Sequence, residues 1–249
     1  MTLREWLREA PFTLAMSSGF FGFYAHAGAL TALISEGFAP SGFAGSSAGA
    51  LVTGLYAGGC SLDEIRQTLT ALRREDFWDP SPGLGLLRGD RFRARLDAMV
   101  RHRTIEACPA PYTASVYELS TRRTRSLHRG SLTAAIHASC ALPVLFQPVR
   151  VDGVLCSDGG IADRPGLAGV AHGTRVLHHH LASRSPWRRE GASSTLPPRR
   201  PNLVAVSIEG ITRLNPFALE RGMTAFREGE AGMRRALDQP VEDALVTVR

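Results

Sequence analysis

The sequence predicts an α/β fold, a three-layer α/β/α sandwich with a mostly parallel central sheet. Two observations support this fold class. In the first half of the chain, short apolar runs of strand length alternate with longer runs of helical periodicity, a pattern typical of a parallel sheet covered by helices on both faces. The chain has 249 residues, of which 44% are hydrophobic, and this is sufficient for one large domain with a substantial core.

The elements follow in order from local patterns. An apolar strand at 12–17 ends in a glycine-bearing loop and is followed by a helix at 22–37, and a buried strand at 42–46 runs into an apolar helix at 48–58. Later strands are predicted at 112–119, 123–128, 149–156, 174–180 and 202–208, with Asp152 and Gly153 forming a hairpin turn inside 149–156. Later helices are predicted at 61–75, 89–102, 131–140, 163–172 and 217–238.

A single domain is expected to span 1–249, with its core at about 12–180 and a C-terminal strand and helix within 202–249. The stretch 183–201 between them is rich in arginine and proline, which predicts a long mobile loop. A more specific hypothesis makes this loop an interfacial flap, in which Trp187 enters the headgroup region of a lipid surface.

The charge of the chain bears on its partners. The formal net charge is +6, and arginine carries the positive charge because the chain contains no lysine. A solvated arginine surface accounts for this charge, and attraction to an anionic membrane surface is the functional alternative. Nucleic acid is not an expected partner, because the arginines do not cluster with aromatic residues in a reading motif.

The sequence predicts a cytoplasmic protein, with peripheral membrane association as the alternative. No apolar stretch is long enough for a transmembrane helix, and the charged N-terminal residues 1–9 lack the apolar centre of a signal peptide. The four cysteines are scattered without a C-x-x-C pair, which favours buried thiols in a reducing compartment over a disulfide framework or a zinc site; they are Cys60, Cys108, Cys140 and Cys156.

A G-x-S-x-G motif lies between the predicted strand 42–46 and the helix 48–58. Its residues are Gly45, Ser46, Ser47, Ala48 and Gly49. A serine on such a sharp turn stands at a helix N-terminus, where free N–H groups can stabilise an oxyanion, and this is the context of a nucleophile elbow. By glycine content alone the motif has roughly a one-in-ten chance of arising in a chain of this length, so a glycine-rich turn without chemistry is the alternative.

Two further blocks follow predicted strands. The 17–22 loop comprises Ser17, Ser18, Gly19, Phe20, Phe21 and Gly22, and a loop of this kind can aim backbone N–H groups at an anion or an oxyanion. Serine at the first glycine positions argues against a dinucleotide-binding loop. The second block is Asp158, Gly159 and Gly160, which ends an apolar strand, where the catalytic groups of α/β proteins tend to lie.

In this order the three blocks resemble those of the patatin-like phospholipases, acyl hydrolases that use a serine–aspartate dyad. The 17–22 loop continues into residues 26–30 in the manner of the family, and the stretch 138–149 is similar to the family's segment before the aspartate strand. The resemblance covers about residues 12 to 170. Each block alone is unspecific, whereas their combination is specific, and it implies a patatin-like fold.

The resemblance also implies roles. Ser47 would be the nucleophile and Asp158 the base that accepts its proton directly, without a histidine between them. The backbone N–H groups of Ser18, Gly19 and Phe20 would form the oxyanion hole. The substrate would be a lipid or lysolipid ester, cleaved through an acyl-enzyme on Ser47. No metal or organic cofactor is implied.

The chain departs from the family pattern in the 17–22 loop. Ser17 and Ser18 replace the first two residues of the usual glycine triplet, and Phe21 stands where the family usually carries arginine or lysine. A missing cation weakens the case for phospholipids over neutral esters or lysolipids. These departures also motivate a second hypothesis, a catalytically weak lipid-binding protein on the same scaffold.

The histidines support a third hypothesis, a Ser-Asp-His triad of the α/β-hydrolase type, because several of them follow Ser47 and Asp158 in chain order. The candidates are His172, His178, His179 and His180. The triple histidine could also hold a metal, but a polar strand end that faces solvent is the favoured interpretation. His26 is interpreted as a packed residue behind the 17–22 loop, and Asp163 as the N-cap of the helix predicted at 163–172.

Overall fold

The computed structural model describes residues 1–182 and 196–249. Its helices are α1 Leu3–Glu9, α2 Phe23–Ser35, α3 Ala48–Ala57, α4 Leu62–Ala71, α5 Asp90–Met99, α6 Leu132–Ser139 and α7 Gly222–Leu237. Its strands are β1 Thr13–Met16, β2 Gly42–Ser46, β3 Gly85–Leu87, β4 Tyr112–Glu118, β5 Arg123–Leu127, β6 Val144–Phe146, β7 Val149–Val151, β8 Val154–Asp158, β9 Val176–His180, β10 Leu203–Ile208 and β11 Leu245–Val248. Trp187, and with it the hypothesis of an interfacial flap, lies outside the described residues.

Within the described ranges, nine strands form the central sheet, in the order β11-β10-β9-β1-β2-β4-β8-β7, with β5 also paired to β4. All neighbours from β11 to β4 run parallel, and the β4–β5, β4–β8 and β7–β8 pairs are antiparallel. Strands β2, β9 and β10 are buried along their whole length, as expected for parallel strands covered on both faces. The predicted α/β fold with a mostly parallel sheet between helical layers is confirmed.

The helical layers pack closely on the sheet and on each other. A Cβ atom on Gly28 of α2 would lie 2.0 Å from the backbone oxygen of Phe226 in α7, so these two helices approach at a point that admits only glycine. Leu14 and Leu30 are fully buried beside them in the main hydrophobic cluster. None of the described helices combines the length and apolar character that a bilayer crossing requires.

The register of β4 brings two distant parts of the chain together. On one edge of β4, Ser115 pairs with Ser46 at the end of β2, and the next residue, Val116, pairs with Asp158 at the end of β8. Strand β8 therefore pairs with β4 along the same edge, beyond the point where β2 ends. As a result, Asp158 lies directly beside the turn that carries Ser47.

The helix predicted at 163–172 is wrong, because these residues form turns. The Asp163 carboxylate accepts hydrogen bonds from the backbone N–H groups of Gly166, Leu167 and Ala168, as an N-cap would. Gly166 adopts a positive φ of 74°, which ends any helical path at that point. The local capping chemistry was thus predicted, but the helix was not formed.

The interpretation of the triple histidine as a strand end that faces solvent is also wrong. Strand β9 lies between β1 and β10 in the interior of the sheet, and His178, His179 and His180 are at most 3% exposed. His172, by contrast, is exposed and precedes β9. The short strands β3, β6 and β11 were not predicted.

Candidate active site

Ser47 occupies the sharp turn between β2 and α3. Its backbone has φ 52° and ψ −120°, a positive-φ conformation outside the left-handed helical region that residues other than glycine rarely adopt. A Cβ atom on Gly49 would lie 2.0 Å from the Met16 oxygen, and one on Gly45 would lie 2.5 Å from the Ala50 nitrogen. The strand and the helix can therefore meet at this angle only because both positions are glycine.

Ser47 contacts Asp158 directly. The Ser47 hydroxyl donates a hydrogen bond of 2.7 Å to Oδ2 of Asp158. The other carboxylate oxygen, Oδ1, accepts a hydrogen bond of 2.7 Å from the backbone N–H of Gly160. Because both oxygens have partners, the carboxylate is fixed with one oxygen on the serine.

The environment of Asp158 makes it an unusually strong base for an aspartate. The residue is 3% exposed. Burial raises the pKa of its carboxyl from 3.8 to about 6, against the opposing effect of the hydrogen bonds from Ser47 and Gly160. At neutral pH the group is therefore still ionised, yet it binds a proton more tightly than an exposed aspartate does.

The C-terminal end of α6 holds the backbone of Ser47. The Ser47 N–H donates to the hydroxyl of Ser139 at 2.9 Å, and that hydroxyl donates in turn to the Ser115 carbonyl at 2.7 Å. The Cys140 thiol donates to the Ser47 carbonyl at 3.3 Å. Sequence reasoning missed Ser139, and the only signal that pointed to it was the family-like stretch 138–149.

The 17–22 loop lies against the Asp158 block. A Cβ atom on Gly160 would lie 2.6 Å from the hydroxyl oxygen of Ser18. The N–H of Ser18 donates to the Arg164 carbonyl at 2.8 Å, so this predicted oxyanion donor is already engaged. The N–H groups of Gly19 and Phe20 donate to no acceptor among the described residues.

The loop position that carries Phe21 is aromatic and packed. Phe21 has a positive φ of 52°. Its ring lies 5.0 Å from that of Phe20, 5.6 Å from that of Phe23 and 6.0 Å from that of Phe77, measured between centroids. A hydrophobic cluster thus stands at the position where the family pattern has a cation.

Large apolar side chains are exposed on segments that follow or pair with the parts of the chain that build the site. Phe20 lies on the 17–22 loop, Ile161 follows the Asp158 block, and Val144 follows the end of α6. Leu84 and Leu86 join them through the pairing of β3 with β6, in which Gly85 is opposite Val144. These five residues, Phe20, Leu84, Leu86, Val144 and Ile161, are called the apolar rim below.

The hydrogen bonds of His26, His178 and His179 are made to groups other than Ser47 and Asp158. His26 Nε2 lies 2.8 Å from the Ser17 carbonyl, and His26 Nδ1 lies 2.8 Å from His179 Nδ1. His178 Nε2 lies 3.0 Å from the Pro165 carbonyl. Burial lowers the pKa of His26 and of His178 to about 3 and that of His179 well below its usual value, so these rings are neutral at pH 7.

The alternative of a metal site on the histidines finds no support in this geometry. Within 1–182 and 196–249, no group of three or more His, Cys, Asp or Glu side chains is arranged to hold a metal ion. The four cysteines are free thiols, with Cys60 and Cys156 buried and Cys108 and Cys140 partly exposed.

Known proteins are similar to this chain in sequence and in fold. Over 162 residues the chain is 39% identical to proteins described as uncharacterized NTE family proteins of Mycobacterium tuberculosis (strain H37Rv) and Mycobacterium bovis. The match covers 64% of this chain and 45% of each relative, so the chain corresponds to about half of their length.

The fold is similar to that of VipD from Legionella pneumophila, with a TM-score of 0.66 and 16% identity over 91% of this chain and 66% of that one. Residues 14–170, more than half of the chain, match the family model described as patatin-like phospholipase. The turn at Ser47, its contact with Asp158 and the neighbouring 17–22 loop all fall within the matched residues, and the chain therefore belongs to the patatin-like phospholipase family.

Proposed function

We propose that the protein is a serine hydrolase that cleaves acyl esters of lipids through a dyad of Ser47 and Asp158. The observation that carries this proposal is the hydrogen bond of 2.7 Å between the Ser47 hydroxyl and a buried carboxylate. In this reading the turn at Ser47 is a nucleophile elbow, and membership of a family of lipid acyl hydrolases supports the substrate class.

The first half of the reaction forms an acyl-enzyme. Asp158 accepts the hydroxyl proton while Ser47 Oγ bonds to the ester carbonyl carbon, and the carbonyl electron pair moves onto oxygen. The N–H groups of Gly19 and Phe20 would stabilise this oxyanion, together with the N-terminus of α3. The intermediate collapses when the bond to the alcohol oxygen breaks, and that oxygen receives the proton from Asp158.

The second half releases the acid. Asp158, again ionised, takes a proton from a water molecule as the water oxygen bonds to the acyl carbon. Collapse of this second intermediate breaks the bond to Ser47 Oγ, which recovers its proton from Asp158. The raised pKa of Asp158 suits both steps, because the same group must accept and return a proton near neutral pH.

The surroundings of the site favour a lipid ester at an interface. The apolar rim exposes large side chains on the 17–22 loop, after the Asp158 block and on or beside β3 and β6, and such a surface favours an apolar or interfacial substrate over a soluble polar one. The formal charge of +6 supports peripheral association with an anionic lipid surface. Because Phe21 replaces a cation, we propose lysolipids or neutral lipid esters ahead of intact anionic phospholipids.

The Ser-Asp-His alternative is less well supported, because Ser47 bonds directly to Asp158. Of the candidate histidines, His178 contacts the Pro165 carbonyl, His179 contacts His26, and His172 is exposed before β9. A catalytically weak lipid-binding protein has one observation in its favour, the engagement of the Ser18 N–H by Arg164. The contact between Ser47 and Asp158 argues against it, since lipid binding alone does not require that contact.

The test is hydrolysis of a medium-chain p-nitrophenyl ester, followed by lysolipid and neutral ester panels. Ser47→Ala and Asp158→Asn should each lower kcat by at least about a thousandfold, as expected when a member of a nucleophile–base pair is removed. Asp152→Asn is the matched control, because Asp152 lies on the hairpin turn before β8. Full activity in Asp158→Asn would refute the dyad, and an inactive wild type would favour the lipid-binding alternative.

A further inference from the structure

We propose that His26 is a positioning residue for the 17–22 loop, which it orients through the Ser17 carbonyl while His179 holds it in one tautomer. This inference rests on the proposed function, because the loop matters to catalysis only if it supplies the oxyanion donors. His26 itself lies in the first turns of α2, fully buried, and acts only through Ser17.

Ser17, the first residue of the loop, forms hydrogen bonds through its N–H, its hydroxyl and its carbonyl oxygen. The Ser17 N–H donates to the His179 carbonyl at 3.2 Å, and the Ser17 hydroxyl accepts from the Leu181 N–H at 3.0 Å. The peptide group that joins Ser17 to Ser18 is bonded at both ends, since its oxygen faces His26 Nε2 at 2.8 Å and its N–H donates to Arg164 at 2.8 Å.

The orientation of the peptide group between Ser17 and Ser18 influences that of the two peptide groups that follow it. The N–H groups that follow it are those of Gly19 and Phe20, the proposed oxyanion donors. Without a partner on the Ser17 oxygen, the bond from the Ser18 N–H to Arg164 would be the remaining restraint on this peptide, and any rotation about it would move both N–H groups. His26 is the side-chain group that restrains this rotation from the carbonyl side.

The hydrogen bonds assign a tautomer to both rings. A carbonyl oxygen can only accept, so His26 Nε2 must carry the proton. In a neutral ring, Nδ1 of His26 is then an acceptor, and Nδ1 of His179 must be the donor across the 2.8 Å contact. The remaining nitrogen, His179 Nε2, is left unprotonated, and it has no hydrogen-bond partner within the described residues.

The surroundings keep the pair neutral. Burial is the main cause that disfavours a positive charge on His26 and on His179. The ring of His180 adds to this effect for both residues, and that of His178 adds to it for His179. Burial of an imidazole is costly unless its nitrogens are hydrogen-bonded. A packing role alone would be met at lower cost by an apolar side chain.

Two variants of His26 distinguish a positioning role from a packing role. Glutamine places its amide nitrogen at the position of Nε2, which faces Ser17, whereas asparagine places its amide nitrogen at the position of Nδ1, which faces His179. His26→Gln can still donate to Ser17 and should keep kcat within about threefold, whereas His26→Asn cannot reach Ser17 and should lower kcat by roughly ten- to a hundredfold, as small misplacements of catalytic groups do. KM should stay within about twofold in both.

Equal kcat values in the two variants, or a loss confined to KM, would overturn the proposal. A second measurement on the wild-type protein does not depend on activity or on the folding of a variant. Two-dimensional ¹H–¹⁵N spectra of the histidine rings at pH 7 should show His26 protonated at Nε2 and His179 at Nδ1, and any other pair of tautomers would contradict the assignment. Full activity in Ser47→Ala would refute the proposed function. The spectra would still test the tautomer assignment in that case, because they do not depend on activity.

Discussion

Asp158 combines two properties that oppose each other in most carboxylates, since it is ionised near neutral pH and yet basic enough to take a proton from a serine. The first follows from the hydrogen bonds of Ser47 and Gly160, which favour the charged form. The second follows from burial, which favours the neutral form and has the larger effect on its pKa. Direct contact with Ser47 then makes a histidine unnecessary in the proposed mechanism.

The pH profile of kcat/KM should report this group. The proposed reaction needs ionised Asp158, and burial raises the pKa of this carboxyl in the folded protein to about 6. Activity should therefore be constant between about pH 7 and 8 and should fall with decreasing pH through 6, approaching a tenfold loss per unit below it. The measurement is kcat/KM on a soluble ester from pH 4.5 to 8, with circular dichroism to show that the fold persists. A profile that stayed flat down to pH 4.5 would contradict the assignment of Asp158 as the base.

At the scale of single residues, the sequence allows prediction of site residues that lie within a recognisable local motif. The contact between Ser47 and Asp158 could be anticipated, because the two blocks that carry them resemble, in this order, those of the patatin-like family. Ser139 and the pair of His26 and His179 could not, because their contacts with Ser47 and Ser17 join elements that lie far apart in the sequence. No local pattern records such contacts.

At the scale of elements, the turn between β2 and α3 is the most constrained part of the site. Gly49→Ala should lower the free energy of unfolding by more than about 2 kcal/mol, because the added methyl group would lie 2.0 Å from the Met16 oxygen and the backbone must shift. Urea unfolding measures the change. Gly173→Ala is the matched control, since its Cβ would meet nothing within 4 Å, and it should change stability by no more than about 0.5 kcal/mol. Equal effects in the two variants would show that the close approach is not required.

Elements were predictable where a pattern was long. The helices at α2, α3 and α6 and the strands at β1, β2 and β4 followed from apolar runs of sufficient length. The strands β3 and β6 have three residues each, too few to show an alternation. The helix predicted at 163–172 failed because the capping residue Asp163 supports turns as well as helices, and Gly166 then decided between them.

At the scale of the whole molecule, the apolar rim and the positive charge should act together at a membrane. The double variant Leu86→Ser, Val144→Asn should bind anionic vesicles at least about tenfold more weakly, because two apolar side chains no longer leave water. Asparagine suits position 144, where φ is 72°. Cosedimentation with anionic and with zwitterionic vesicles measures the binding, and hydrolysis of a soluble ester serves as the control. Unchanged binding to both kinds of vesicle would mean that another surface contacts the lipid.

The order of strands was the least predictable feature at this scale. The alternation of elements predicted a parallel sheet, but it could not show that β9 lies beside β1 or that β8 runs antiparallel along the edge of β4. Both pairings join segments distant in sequence, and both are needed to build the site. The burial of the triple histidine follows from the first of them.

The burial of Asp158 also makes the stability of the fold depend on pH. In the unfolded chain this carboxyl has a pKa near 3.8, and in the folded chain about 6, so the folded state binds the proton more tightly. Its contribution to stability is fully present below pH 3.8, declines as the pH rises through 6, and is then lower by about 3 kcal/mol. If Asp158 acts as the proposed base, the protein would be active in the pH range where this one side chain contributes least to the stability of the fold.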